Sequence, residues 1–460
     1  MDNIRNLGVS IQDVRPDLVH HQSYTSREVA ELEAKKLWPR VWQSACRLEE
    51  IPYVGDYVVY DIVDQSIVVV RSSENEVKAF HNVCPHRGRR LLSGSGHIGK
   101  FHCAYHAWQW DLNGSVTRIL DHHEWNGCAN MTKEDMALPP VHTAQWGGFV
   151  YINMAEEPES FDEFIAPARK ALDVLNFGDM RYSWYNVIKL KGNWKTAQEA
   201  FAESYHVMGT HPQFAALIDE KNHSIIRGRH STHTYEFDFP PGTPSRRLNL
   251  PKQRLDEWRE GFARYLEAFP DQLAQNGVGN GMMTARSAKT GADAIRALPA
   301  GTEVLETMTV ATMAMKNTAE KAGAFFALPS MEQWQEIGGA WVMFPNQSFP
   351  IAQDGTLLMS ARPDSEDPFN PDRCELHMIS LVHYGKDEPV PPLEKVLIRN
   401  WREESGKRIP KLLAQDMSNI EMVQMGMHSI ALNGRGLRPN PIQEQTVPHL
   451  HRQINEFIYD

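Results

Sequence analysis

Two short pairs of soft ligands constrain this chain more than any other feature. They are Cys84-Pro-His86 and, after the 16 residues Arg87 to His102, Cys103-Ala-Tyr-His106. Each pair borders a strand-like run, so two loops can close on one ion or cluster. Thiolate and imidazole ligands at such spacing describe a closed site for zinc or for an iron-sulfur cluster. Structural zinc sites commonly pair Cys with Cys and His with His. Here each loop supplies one of each, matching a centre in which two Cys hold one iron and two His hold the other. Simple packing in a β core is the plain alternative.

The stretch HNVCPHRGRRLL followed by CAYHAWQWDLNG resembles the Rieske [2Fe-2S] signature. The second half departs from the usual pattern at Ala104, where Pro is common, at Ala107, where Gly is common, and at Trp110, where Tyr is common. The resemblance implies a cluster held by Cys84, His86, Cys103 and His106. Between the pairs, Gly94-Ser-Gly96-His-Ile-Gly99 matches a dinucleotide fingerprint, but neither a βαβ strand precedes it nor a helix follows it. With no NAD or flavin motif of its own, the chain is expected to receive electrons from another protein. Arg87, Arg89 and Arg90 could form a docking patch for an acidic carrier. They read equally well as solvated or internally paired arginines.

About 100 residues later comes Glu199-Ala-Phe-Ala-Glu203-Ser-Tyr-His206-Val-Met-Gly-Thr-His211-Pro212. At about 100° per residue, Glu199, Glu203 and His206 fall within roughly 60° on a helix, with Trp194, Ala197, Phe201 and Met208 opposite. His206 and His211 diverge by about 140°, so they share an ion only if the helix breaks between them. Gly209 offers a flexible break and Pro212 prevents continuation. A polar stripe with one His is also what a solvated helix face looks like.

Glu-x2-His-x4-His is similar to the catalytic helix of Rieske non-haem iron oxygenases, the large subunits of aromatic-ring-hydroxylating enzymes. The resemblance covers nearly the whole chain. It implies His206 and His211 as ligands of a mononuclear Fe(II), the facial triad of two His and one carboxylate. It places Glu203 where an acidic residue, most often Asp, bridges cluster and iron. It assigns the third ligand to Asp416, within Gln415-Asp416-Met-Ser-Asn-Ile-Glu421-Met-Val-Gln424-Met-Gly426; a structural Asp on an amphipathic helix competes. The longer Glu203 resembles some branches acting on non-aromatic substrates, and Ala200 stands where the family often has Asn.

The implied activity is that of a terminal oxygenase using O2 and electrons from a separate ferredoxin or flavin reductase to hydroxylate an organic, aromatic substrate. Monohydroxylation or oxidative demethylation of a non-aromatic or N-methyl compound is the alternative. Outside that class stand an electron carrier with a vacant second site and a zinc-binding interaction protein. A homotrimer is implied, with or without a small second subunit.

With 460 residues, 42% hydrophobic and 23% charged, the chain can hold two or three domains. Changes of hydrophobic period suggest an α+β chain. A helical segment occupies 1–40, a small all-β Rieske domain 41–155, and a larger catalytic domain with an antiparallel sheet and flanking helices 156–460. Strands are expected at 57–62, 66–70, 77–83, 106–111 and 149–153, then at 339–344, 356–362 and 375–384. Helices are expected at 25–38, opening with the capping box Thr25-x-x-Glu28, at 161–175 and 194–208, and from Leu393 and Lys411 onward. Asn276 to Ala294 reads as a Gly-rich mobile loop or a plain surface insertion.

A net charge of −11 disfavours nucleic acid as main partner. Five cysteines are too few for a disulfide scaffold. Cys46, Cys128 and Cys374 are expected to be simply buried. Met1 to Asp17 lacks the apolar stretch of a secretory signal and no run is long enough to span a bilayer, so a cytoplasmic home is expected. Arg246-Arg247-Leu-Asn-Leu-Pro-Lys252-Gln-Arg254 reads mainly as a solvated loop, with attraction of a carboxylated substrate as the other reading.

Overall fold

Short β-rich segments alternate with Gly and Asn turns through the first third of the chain and assemble into one unit spanning Leu32–Ile165. In this computed structural model the described residues are 18–128, 131–219, 222–235, 240–249, 258–274 and 281–459. The expectations for Met1 to Asp17, for 276–280 and for Lys252 and Arg254 lie outside them. No described helix is long and apolar enough to cross a membrane.

The β unit contains β1 (Gln43–Arg47), β2 (Asp56–Ile62), β3 (Gln65–Ser73), β4 (Glu76–His81), β5 (Ser95–His97), β6 (Phe101–His102), β7 (Gln109–Trp110), β8 (Val116–Arg118), β9 (Pro140–Trp146) and β10 (Phe149–Asn153). Seven strands form one antiparallel sheet in the order β1-β10-β9-β4-β3-β2-β5, and β6-β7-β8 form a second, small one. Val68, Val70, Phe80, Phe101 and Trp110 pack between them around Cys84 and Cys103. The strand expected at 106–111 shrinks to Gln109–Trp110, because His106 and Ala107 turn. Gly94–Gly99 supplies β5, paired with Asp56–Val58, and no helix follows.

The second unit joins residues 18–31 with the described residues from Ala166 onward. Trp42 and Tyr151 pack on Phe161, with ring centroids 5.0 and 5.1 Å apart. The start of the helix Phe161–Leu172 therefore belongs with the β unit. The sheet of the second unit runs β12-β13-β14-β15-β16-β17-β11-β18. Its strands are β11 (Arg181–Leu190), β12 (Asn222–Arg227), β13 (His230–Tyr235), β14 (Ala340–Met343), β15 (Gln347–Pro350), β16 (Gly355–Pro363), β17 (Cys374–Val382) and β18 (Lys395–Ile398). All neighbours are antiparallel except β18, which lies parallel to β11. Flanking helices are α1 (Trp194–Glu199), α2 (Val207–Thr210), α3 (Pro212–Ala215), α4 (Trp258–Ala274), α5 (Ala285–Ala297), α6 (Val304–Lys321), α7 (Lys411–Met427) and α8 (Thr446–Tyr459).

Four local expectations are corrected. The helix expected from Thr25 starts at Arg27, with Ser26 Oγ accepting from Val29 N at 3.3 Å while Thr25 bonds back to His21. Residues 395–398, expected to be helical, form β18, in keeping with the Val and Ile that favour a pleated strand. Residues 285–294 of the expected loop lie in α5, capped by Thr284. Gly291 serves close packing there, since a Cβ would sit 2.8 Å from Leu266 and 3.0 Å from Met315. Finally, Cys46 and Cys374 are buried but Cys128 is exposed.

Gly242 fixes the loop that supports the segment after α3. Its N–H donates to Leu217 O at 2.9 Å and Ser245 N donates to Ala215 O at 2.7 Å. Gly242 has φ +89° and touches the backbone of α4, where a Cβ would lie 2.0 Å from Phe262 N. Gly242→Ala is expected to destabilise the protein by roughly 2–4 kcal/mol, measured by denaturant unfolding.

Candidate metal centres

The two ligand loops of the β unit share one hydrogen-bond plan. In the first, Cys84 N donates to Arg89 O at 2.8 Å and Cys84 O accepts from Gly88 N at 2.9 Å. In the second, Cys103 N donates to Trp108 O and Cys103 O accepts from Ala107 N, both at 2.9 Å. The residue four after each Cys is left-handed: Gly88 at φ 73° and Ala107 at φ 57°. Ala107 thus keeps the conformation that glycine adopts freely, at a cost of roughly 1–2 kcal/mol. Ala107→Gly is expected to raise stability by about 1 kcal/mol, read as a shift in unfolding midpoint.

Asn82 closes the first loop. Its amide donates to Ser66 Oγ and Leu92 O at 3.0 and 2.8 Å, and its carbonyl accepts from Leu91 N and Leu92 N. Trp110 anchors the second by donating to Met136 O at 2.8 Å. Cys84 and Cys103 are 2% and 1% exposed. The His86 and His106 rings stand 4.5 Å apart, with His86 stacked on Trp108. Burial pushes the Cys84 thiol up and the His86 imidazole down. Both Nδ1 atoms, on His86 and His106, are buried without a hydrogen-bond partner. Two buried thiols and two unmatched ring nitrogens fit a metal ion or cluster, because an unsatisfied buried polar atom is otherwise expensive. Beside them, Arg90 is paired with Asp61, Arg87 lies over the Tyr105 ring at 5.3 Å, and Arg89 donates to Arg90 O.

The second centre forms where α1 stops early. The helix expected through Met208 ends at Glu199, and residues 200–206 turn before α2 begins. His206 is the N-cap of α2 and His211 lies between α2 and α3, with φ −124° and ψ 58°. The break that turns the two imidazoles together is therefore at His211 itself, ahead of Pro212, while Gly209 stays helical. The ring centroids are 5.3 Å apart. Glu199 does not join them; its carboxylate accepts from Tyr24 OH at 2.8 Å and meets His451 Nε2 at 2.7 Å.

Asp416 comes from α7, held by a buried polar face. Gln424 accepts from Asn193 N and donates to Tyr24 O, both at 3.0 Å, while Glu421 accepts from Trp401 Nε1 at 3.1 Å. Asp416 Oδ1 then lies 2.8 Å from His211 Nε2 and 3.5 Å from His206 Nε2. One ligand atom from each residue falls within 4.8 Å of the others. Behind them, Glu203 Oε1 accepts from His206 Nδ1 at 2.6 Å and Gln415 Oε1 from His211 Nδ1 at 2.9 Å. A carboxylate behind one imidazole and an amide oxygen behind the other fix both tautomers and free the Nε2 atoms for a metal. Glu203 Oε2 also accepts from His206 N at 3.1 Å, capping α2.

Gln415 was not singled out by spacing, although it precedes Asp416. Nothing local marks Tyr24 or His451, which reach Glu199 from far along the chain. The imidazoles and Asp416 line a cavity of about 850 Å³ with Phe201, Phe214, Met308 and Met359. His233, also at its wall, is pushed down to about 4 by burial. Arg246 Nε donates to Asp219 Oδ2 at 3.0 Å and its backbone N–H to Oδ1 at 2.8 Å, so its charge is met by that carboxylate.

Residues 177–459 match the ring-hydroxylating alpha subunit catalytic domain, and residues 41–129 match the Rieske [2Fe-2S] domain. The carnitine monooxygenase oxygenase subunit of Acinetobacter pittii is 32% identical over 226 residues, 47% of this chain and 58% of that protein. The glycine betaine monooxygenase oxygenase subunit of Pseudomonas aeruginosa is 31% identical over 198 residues, 43% of this chain and 45% of that protein. The match thus spans about half the length of these curated relatives. A quaternary ammonium Rieske monooxygenase solved with L-carnitine superimposes with TM-score 0.59 at 18% identity, covering 96% of both chains. Naphthalene 1,2-dioxygenase from Rhodococcus sp. gives 0.62 at 18% identity over 100% of this chain and 98% of that one. These two likenesses are of fold. The fold and the span of the catalytic match lead to one assignment: this chain belongs to the ring-hydroxylating alpha-subunit family, whose cofactors are a Rieske [2Fe-2S] cluster and a mononuclear iron.

Proposed function

We propose that this chain is the terminal oxygenase component of a system in which O2 and electrons from a separate ferredoxin or flavin reductase hydroxylate an organic substrate. The observation that carries this reading is the cavity wall at which His206, His211 and Asp416 converge, with Glu203 and Gln415 behind the two imidazoles. In this reading Cys84, His86, Cys103 and His106 hold the cluster, and His206, His211 and Asp416 hold the iron. When bound, the iron supplies O2 activation at its open positions and the cluster supplies electrons singly.

The remaining work belongs to side chains. Glu203 takes the Nδ1 hydrogen bond of His206, keeps that ring in one orientation and places a negative charge behind it. Gln415 does the same for His211 without charge. Phe201, Phe214 and Met359 keep bulk water from the reacting end of the cavity.

A homotrimer, with or without a small second subunit, belongs to this proposal. A second cleft of about 310 Å³ reaches Glu203, His206 and Asp416 and is bordered by Glu199 and Glu444. Its lining carries Glu199, Glu203, Asp416 and Glu444 against the cation Arg438, a balance that suits Arg87 and Arg89 beside the cluster loops of a neighbouring copy. Sedimentation at three times the mass of one chain would support this arrangement.

Anaerobic reconstitution tests the main reading. It should give about three irons per chain, a rhombic paramagnetic signal after dithionite, and substrate-dependent O2 uptake with a supplied reductase. A colourless, zinc-loaded protein would remove it. Cys84→Ala is expected to bleach the visible absorption while the mononuclear iron stays, checked by iron analysis. Relatives named as monooxygenases support single hydroxylation or oxidative demethylation as the second reading. Counting labelled oxygen atoms in the product separates that from dihydroxylation.

A further inference from the structure

Three side chains from distant parts of the chain close a ring of hydrogen bonds beside the second centre. Tyr24 OH donates to Glu199 Oε2 at 2.8 Å, and His451 Nε2 stands 2.7 Å from Glu199 Oε1 and 2.8 Å from the Tyr24 hydroxyl. Tyr24 is 1% exposed, and the His451 and Glu199 side chains are 6% and 12% exposed. The Tyr24 and His451 rings lie 4.9 Å apart. The Tyr24 carbonyl accepts from Asn193 Nδ2 and Gln424 Nε2, both at 3.0 Å. Those bonds tie it to the cap of α1, which leads to Glu203, and to α7, which carries Asp416. Tyr24 and Glu199 line the cleft of about 310 Å³ whose wall also includes Glu203, His206 and Asp416.

A buried phenol yields an electron readily only if its proton leaves with it, because the other product is a cation shut away from water. A base within hydrogen-bond reach takes that proton, and the Glu199 carboxylate occupies that place. Loss of the proton alone is disfavoured, since burial and the Glu199 charge push the Tyr24 phenol well above its ordinary range. Electron and proton therefore leave Tyr24 together. Other oxidisable groups are close to the metal ligands: Met308, Met313 and Met359 line the same cavity as His206, His211 and Asp416. A thioether oxidises to the sulfoxide.

We propose that Tyr24 is a one-electron donor that quenches the second centre when O2 or peroxide reacts there without substrate. This inference rests on the oxygenase reading of that centre. The Tyr24 hydroxyl gives its electron to the oxidising equivalent left at the metal end and its proton to Glu199 Oε2, leaving a neutral tyrosyl radical. His451 holds the carboxylate in place. An electron from the reduced cluster and the proton returned by Glu199 restore the phenol.

The holoenzyme, with ferrous iron at the second centre, tests this when it is mixed with hydrogen peroxide, without substrate, and frozen for paramagnetic resonance. A tyrosyl signal is expected that narrows in protein grown on ring-deuterated tyrosine and is lost in Tyr24→Phe. Glu199→Gln, which keeps the side-chain length and removes the base, should lose it too and is the second variant should the first fail to fold. After the same treatment Tyr24→Phe should carry at least about threefold more sulfoxide at Met308, Met313 and Met359 than the parent, read by peptide mass spectrometry. Peroxide consumption without a radical, the same signal in Tyr24→Phe, or equal sulfoxide in parent and variant would overturn the inference and leave the oxygenase reading standing. A second centre that takes up no iron would remove that reading, and this inference with it.

Discussion

Glu203→Gln is expected to lower product formation by about 100-fold while the cluster spectrum and the iron content stay near those of the parent. The amide oxygen can still accept the His206 Nδ1 hydrogen bond that Glu203 accepts at 2.6 Å. Its NH2 group, however, would face His206 N, which now donates to Glu203 Oε2 at 3.1 Å, and the negative charge behind the ring is gone. The ring keeps its orientation and loses its electrostatic partner. Glu203→Asp keeps the charge but shortens the reach by one methylene, so it should retain more activity than the amide. Near-normal turnover in Glu203→Gln would dismiss the bridging role, since the two sites would then communicate without that carboxylate.

Asp416→Ala is expected to reduce iron from about three to about two atoms per chain and to abolish product, with the dithionite-reduced cluster signal unchanged. The side chain is 5% exposed and contributes the single carboxylate of the trio. Two imidazoles alone leave the ion held too weakly to survive desalting. Alanine is a good helix former, so α7 should persist, and circular dichroism would confirm it. A purely structural Asp416 predicts the opposite pattern: full iron content in a less stable protein.

The ligand types were legible because their chemistry is written in residue identity and spacing. Cys-x-His and Cys-x-x-His on neighbouring loops admit few partners, and the structure buries Cys84 and Cys103 in one cluster with the half-buried His86 and His106 rings 4.5 Å apart. Strands with clear alternation or β-branched runs, such as β2, β3 and β10, were also readable. What escaped was decided by tertiary contacts. The early end of α1 at Glu199 reflects Tyr24 and His451, which capture its carboxylate from far along the chain. The bend that unites His206 and His211 was legible in kind, since a residue before proline is pushed out of the helical region, but it falls at His211 and not at Gly209. Gly291 looked like a loop residue, yet it lets α5 approach Leu266 and Met315. Asp416 was singled out by likeness alone, since nothing in its spacing from His211 points to the imidazole it meets at 2.8 Å.

The matched backbone ladders of the two cysteine loops bear on how the protein matures. Each turn is closed by its own amides, and Asn82 and Trp110 moor them to the sheets without help from a cofactor. Small zinc modules, by contrast, acquire their shape only when the ion arrives. In these two loops the backbone turns find their hydrogen-bond partners within the chain, and the same turns gather the His86 and His106 rings to 4.5 Å.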